Sequence, residues 1–255
     1  MYKKILKLIH VFFVSLGLNL LKFKNIFYFP KYIKDLLIFI FKGGRISLPS
    51  PVLGEHSSHS GNFDKQYFYQ DLIVANYIYK KNPTRHIDIG SRVDGFVSNV
   101  ASFRKIEVFD IRKNHFSHEN ITFSQFDFMK SNISMKEITD SLSCLHTIEH
   151  FGLGRYGDPI NPNGHIIGFK NILMLLKKKG FFYFSIPISK LDRVYFNAER
   201  TFEPLGVLKW SDDLQLVRFD LIDENGKIFY NCDINNKKTY SELTYGCGIY
   251  TFKKI

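Results

Sequence analysis

Between residues 85 and 188 the sequence keeps returning to one figure. A short apolar run ends on an acid, a glycine, a histidine or a proline, as in "HIDIG" (86–90), "IEVFD" (106–110), "ITFSQFD" (121–127), "DSLSCLH" (140–146) and "GFFYFSIP" (180–187). Such runs read as strands buried on both faces. "KQYFYQDLIVANYIYKKN" (65–82) has helical spacing, and "GHIIGFKNILMLLKKKG" (164–180) reads as a helix that closes on its lysines and Gly180. Strands alternating with helices predict an α/β fold, a doubly wound and mostly parallel sheet. "LQLVRFDLIDENGKIFY" (214–230) and "YGCGIYTFKK" (245–254) leave little room for a helix between them. They predict an antiparallel pair that finishes the sheet.

The first 43 residues are of another kind. Residues 1 to 45 carry nine basic side chains against one acid, Asp35, which is +8 of the net charge of +11. The positive charge therefore belongs to this arm and not to the α/β domain of 44–255. Basic and aromatic residues are not interleaved along that domain, which excludes a nucleic-acid partner. The apolar run Leu8–Leu21 is shorter than the roughly 20 residues that span a bilayer. "MYKK" is followed by no small-residue cleavage site, so the expectation is not a secretory signal. Two basic, amphipathic helices with a break near Pro30 are expected. They would either contact an anionic membrane surface or pack on the main domain. "GRISLPSPVLGEHSSHSGNFD" (44–64) reads as a linker or loop. Three cysteines, Cys144, Cys232 and Cys247, are too few for a disulfide framework. The expected location is cytoplasmic, at the inner face of the membrane if the arm binds there.

Ligands of open parallel sheets sit beyond the carboxyl ends of the strands. There the chain places Asp88, Gly90, Ser91 and Gly95 in "HIDIGSRVDGF", then Asp110, then Asp127. Gly90 lets backbone approach a ligand, and Asp110 can accept hydrogen bonds from ribose hydroxyls. Asp127 stands where a side chain reaches an adenine edge. The G-x-G-x-x-G pattern is absent, since Arg92 and Val93 stand in it, which weakens a dinucleotide reading. The turn and the acid fit S-adenosyl-L-methionine (SAM), which has a ribose and no pyrophosphate.

"HTIEHFGLGRYGD" (146–158) gathers His146, Glu149, His150, Arg155, Tyr156 and Asp158. "HTIEH" matches the H-x-x-E-H peptidase motif, but that motif needs a helix. Here it follows a strand, glycines come next, and no third metal ligand is recognisable. An acid–base site suits it better, with His146, Glu149 and His150 serving an acceptor's proton. Arg155, Tyr156 and Asp158, with Asn197 and Arg200 of "FNAER", are candidate acceptor contacts. Structural alternatives remain: a core histidine at 146, a Glu149–Arg155 ion pair, and an Arg200 salt bridge that shapes its loop.

"HIDIGSRVDGF", "VFDIR", "SLSCLHTIEHFGLGRYGDPINPNGH", "FFYFSIPI", "VYFNAER" and "YGCGIYTFKK" together resemble the DUF268 family, over about residues 60 to 255. Its members are similar to class I SAM-dependent methyltransferases. The resemblance implies a seven-stranded sheet with an antiparallel last strand. Ser91 and Arg92 depart from the glycine-rich centre usual in methyltransferases. The combined reading is a SAM-dependent methyltransferase for a hydroxyl of a small polar acceptor, a sugar or surface-glycan precursor. The alternatives are a catalytically inert fold that binds a glycan or a partner, and another nucleotide-dependent enzyme.

Overall fold

The computed structural model describes residues 2–55, 63–115, 117–130 and 134–255. It divides into two compact units, Met1–Phe63 and Asp64–Ile255. The first holds helix α1 (Tyr2–Ser15), a 3₁₀ stretch (Leu20–Tyr28) and helix α2 (Phe29–Phe41). The break expected near Pro30 lies earlier, at residues 16–19. Pro30 sits in the first turn of α2, where its missing N–H costs no helical bond. Part of the 44–64 linker, residues 56–62, lies outside the described residues.

The second unit opens with α3 (Lys65–Lys81). Asp64 caps it by accepting from the Gln66 and Tyr67 backbone N–H groups, and Asn82 closes it in the left-handed region at φ 44°. The strands follow: β1 (His86–Ile89), β2 (Ile106–Asp110), β3 (Ile121–Gln125), β4 (Thr139–Leu145) and β5 (Leu176–Ile188). Short α4 (Ser98–Ala101) follows β1, and α5 (Gly164–Met174) precedes β5. A small hairpin, β6 (Arg193–Tyr195) and β7 (Glu199–Thr201), leads through α6 (Pro204–Val207) to β8 (Leu214–Ile222), β9 (Ile228–Phe229) and β10 (Gly246–Lys254). The sheet order is β3-β2-β1-β4-β5-β10-β8-β9. Pairing from β3 to β5 is parallel, and β10 runs antiparallel to both β5 and β8. The seven expected strands are present, with two-residue β9 added at the edge.

Helix α5 ends at Met174, not at the lysines. Lys177–Lys179 open β5 instead, and Gly180 lies within that strand. The helix's last carbonyls are satisfied from elsewhere: Glu137 N–H donates to Met174 and Lys254 Nζ donates to Leu173 at 3.1 Å. With those carbonyls occupied, no glycine cap is needed.

Strand alternation sorts the core. Ile87, Ile89, Leu142, Cys144, Phe182 and Phe184 face the layer that holds Phe169 and Ile172 of α5. The opposite face holds Ile73, Val74 and Ile78 of α3 with Phe96, Val108 and Ile249. Interleaved on β1 and β4 are five buried polar residues, His86, Asp88, Thr139, Ser141 and Ser143. His86 Nδ1 meets Ser141 Oγ at 2.8 Å and its Nε2 meets Ser143 Oγ at 3.1 Å, while Ser143 Oγ donates to Asp88 at 2.6 Å. Asp88 also accepts from the Ser91 hydroxyl and backbone N–H.

Burial pushes the His86 pKa down to about 3. A base depressed in the folded state takes up its proton only on unfolding, so stability is lost as pH falls from about 6.5 toward 3. Burial pushes Asp88 up to about 6, which acts in the opposite sense between about 3.8 and 6. We therefore expect His86→Gln to lose less stability on acidification than wild type, by a few kcal/mol at pH 4. Urea unfolding at pH 7, 5.5 and 4 checks this, and parallel stability curves would contradict it.

Candidate active site

The carboxyl ends of β1, β2 and β4 enclose a cleft of about 550 Å³, counting its open mouth. Its apolar lining includes Ile89, Phe109, Phe128 and Met129, and its polar lining includes Asp110, Asp127, His146, Thr147, His150 and Asp158. Gly90 lies at the turn with φ 68° and donates its N–H to Phe109. A Cβ there would meet Thr147 Cγ2 at 2.5 Å, so only glycine fits. Asp110 ends β2, and both its oxygens accept from Arg112, at 3.0 Å from Nε and 2.6 Å from Nη2. The Arg112 guanidinium also lies over the Tyr156 ring, 4.8 Å from its centroid. Asp127 stands two residues beyond β3, on the cleft wall, and accepts from the Met129 N–H.

At the end of β4 the chain turns sharply. His146 takes φ 47° and its N–H donates to Ser185 of β5. Residues Ile148–His150 form one 3₁₀ turn, not a peptidase-type helix. Glu149 is fully buried, and neither of its oxygens makes a hydrogen bond. Its Oε1 lies 3.3 Å from His146 Nδ1 and 3.9 Å from His150 Nε2. The His146 side chain is 1% exposed, and its ring packs against Tyr67 with centroids 4.8 Å apart and planes tilted by 50°. Burial alone would lower its pKa. Contacts with Cys247 and Glu149 outweigh that and raise it well above 6.5. His150 donates Nδ1–H to the Ala198 carbonyl at 2.7 Å. With Nδ1 on that carbonyl, Nε2 is the ring nitrogen that lies toward Glu149, 3.9 Å from Oε1.

The other predicted residues lie outside this set. Asp88 and Ser91 are buried in the network behind the cleft, with the Leu145 N–H donating to Ser91 Oγ. Gly95 packs on Asp71, where a Cβ would stand 2.4 Å from Oδ2. Asp158 accepts from the backbone N–H groups of Gly152, Gly154 and Tyr156. Arg155 donates to the Ala198 carbonyl and does not form the Glu149 ion pair. Arg200 donates to the carbonyls of Glu149, Phe151 and Pro162, so it ties the loop by hydrogen bonds and not by a salt bridge. Asn197 is exposed on the β6–β7 turn.

Sequence reasoning missed three half-buried residues: Tyr67 on α3, Glu199 on β7 and Tyr245 before β10. Tyr245 donates its hydroxyl to Glu199 at 3.3 Å. Burial and the nearby Glu149 carboxyl raise the pKa of Tyr67, of Glu199 and, together with Glu199, of Tyr245. Among the described residues no three of His, Cys, Asp and Glu are arranged to hold a metal ion.

This sheet order and cleft are those of a class I methyltransferase fold. The N-methyltransferase NodS of Bradyrhizobium japonicum WM9, solved with S-adenosyl-L-homocysteine (SAH), superposes with a TM-score of 0.50 at 9% identity, covering 76% of this chain and 89% of NodS. The 1,6-didemethyltoxoflavin-N1-methyltransferase of Burkholderia thailandensis gives 0.52 at 13% identity, over 81% and 93% of the two chains. At these identities the likeness is one of fold alone. No curated protein matches by sequence. The chain belongs to the DUF268 family, described as "Caenorhabditis protein of unknown function", which it matches over residues 94–229.

Because Arg200 is 4% exposed and holds three carbonyls, Arg200→Ala should destabilise the fold by about 2–4 kcal/mol. A thermal melt unchanged from wild type would show that the loop holds without it.

Proposed function

We propose that this protein is a SAM-dependent methyltransferase acting on a hydroxyl of a small polar acceptor, a sugar or surface-glycan precursor. The observation that carries the reading is the buried His146–Glu149–His150 set at the inner end of a cleft whose rim bears Asp110 and Asp127. The residues fit the cofactor: Ile89, Phe109, Phe128 and Met129 offer apolar surface for an adenine, Asp127 an edge acceptor, and Asp110 an acid for ribose hydroxyls. Bound SAM would supply a methyl group on a sulfonium. The chain's own work is to align the acceptor, exclude water and take a proton from its hydroxyl. His146 is the proton acceptor of this account, since it follows the strand end directly and lines the cleft.

Two predictions follow from these roles. Calorimetry with SAM and SAH should show micromolar binding, weakened at least tenfold by Asp110→Ala, because losing hydrogen bonds from a charged group costs about 1.5–3 kcal/mol. Unchanged affinity would remove Asp110 from the site. His146→Ala should slow methyl transfer by about 10²–10⁴-fold while SAM still binds. The wild-type rate should rise with pH through an apparent pKa above 6.5, since His146 must first lose the proton that Glu149 and Cys247 stabilise. If the variant keeps that limb, His146 is not the base. Activity lost to chelator and restored by a divalent cation would replace the acid–base account with a metal site.

Two observations favour the second reading, an inert fold that binds a glycan or partner. Arg112 already satisfies Asp110, and Thr147 fills the space beside Gly90. No SAM or SAH binding in the same calorimetry would favour it.

We also infer that the arm touches an anionic membrane surface, which would place the protein at the cytoplasmic face. Phe27 and Phe41 are 82% and 87% exposed beside Lys24, Lys31, Lys34 and Lys42. Among the described residues no helix is long and apolar enough to cross a membrane. Full-length protein should sediment with phosphatidylserine vesicles at low salt, less so at high salt, and far less with Phe27→Ser and Phe41→Ser combined. Salt-independent sedimentation, or none, would contradict this.

A further inference from the structure

Asp110 ends β2 on the rim of the cleft, and its acceptor positions are mostly taken by one neighbour. Its Oδ1 accepts the Arg112 backbone N–H at 2.8 Å and Arg112 Nε at 3.0 Å, and its Oδ2 accepts Nη2 at 2.6 Å. A carboxylate offers about four such positions, two on each oxygen. Both positions of Oδ1 are therefore filled, and one is left on Oδ2. A vicinal diol, such as that of a ribose, brings two hydroxyl donors. Both can bind Asp110 only when the guanidinium lets go, and the backbone N–H bond can stay.

The guanidinium has a second anchor. It lies over the Tyr156 ring, 4.8 Å from the centroid, on the loop that follows β4. Asp110, Arg112 and Tyr156 all line the cleft. The contact is therefore a strap that ties the end of β2 to the loop beyond β4. It is a strap that can open: the Arg112 side chain is 53% exposed against 11% for Asp110. An ion pair with one partner so exposed is weak and is screened by salt. The guanidinium also has somewhere to go. Arg112 and Asp110 border a second, open groove of about 620 Å³, counting its mouth, where the Asp94 carboxylate lies.

We infer that Arg112 is a built-in competitor for the ribose position: its guanidinium occupies Asp110 and straps β2 to Tyr156, and a nucleoside that presents a vicinal diol must displace it. This rests on the proposed reading only for placing a ribose at Asp110, and it needs no methyl transfer. The affinity of such a ligand is its intrinsic affinity reduced by the fraction of chains whose strap is open. Arg112 thus sets the ligand concentration the cleft responds to, apart from any contact the ligand itself makes.

Adenosine is the main probe, because it carries the diol and no charge. Calorimetry on the full chain compares adenosine, SAH, 2′-deoxyadenosine and 3′-deoxyadenosine in wild type, Arg112→Ala and Arg112→Lys. In Arg112→Ala, adenosine and SAH should bind about threefold to tenfold tighter. The deoxynucleosides, whose single hydroxyl fits the position left on Oδ2, should change by less than about twofold. Arg112→Lys keeps the charge but loses the planar fork, so its gain should fall between. Salt should tighten adenosine binding in wild type more than in Arg112→Ala, since only the strap is screened. Weaker or unchanged adenosine binding in Arg112→Ala overturns the inference. So does an equal gain for diol and deoxy ligands, a salt trend shared by both chains, or no nucleoside binding by any of the three. A wild type that binds SAH, with no gain in Arg112→Ala, keeps the methyltransferase reading and loses this inference. A wild type that binds neither SAH nor adenosine, beside an Arg112→Ala chain that binds adenosine, does the reverse.

Discussion

A buried carboxyl without a hydrogen bond organises the functional half of this molecule. Taking such a group from water costs several kcal/mol unless something nearby compensates. For Glu149 the compensation is the His146 imidazole at 3.3 Å, drawn toward its protonated form. That pairing has a pH signature in stability. A histidine whose folded pKa is raised stabilises fully below about 6.5, and the benefit fades as pH rises through the folded value. It also requires the backbone to deliver both side chains to one point. The left-handed turn at His146, the 3₁₀ turn that follows, and Arg200 gripping the Glu149 and Phe151 carbonyls do this.

The sheet supplies the frame for that turn. β4 lies between β1 and β5, so its end is flanked on one side by the Gly90 turn and on the other by Ser185 and the β6–β7 hairpin. One side offers a cleft with acids on apolar walls. The other offers tyrosines and Glu199. The two sides meet at the end of β4, where His146 and Glu149 lie.

The sequence showed the sheet because burial on both faces leaves near-continuous apolar runs, and all five runs became strands. Gly90, Asp110 and Asp127 could be placed on the cleft for a local reason: each stands at or just beyond a strand end, where the topology opens the sheet. The end of α5 was not legible. Lysines after an apolar stretch suit a helix terminus as well as a strand start, and the deciding contact comes from Lys254, some eighty residues on. Nor could the sequence show that Arg155, Asp158 and Arg200 are occupied by backbone, because a charged side chain looks the same whether it meets a ligand or a carbonyl. Tyr67, Glu199 and Tyr245 carry no motif. They converge only through α3 packing, the β6–β7 hairpin and the approach to β10, which are long-range consequences of the fold.

The central claim is that the Glu149 carboxylate, together with Cys247, holds His146 toward its protonated form. Nitrogen-15 NMR of the histidine side chains, titrated in wild type and in Glu149→Gln, measures this without needing substrate or activity. The account predicts that His146 titrates well above 6.5 in the wild type and at a lower pH in the variant, where Cys247 remains but the nearby carboxylate is gone. A wild-type His146 that titrates at or below 6.5, or one unmoved by Glu149→Gln, would contradict it.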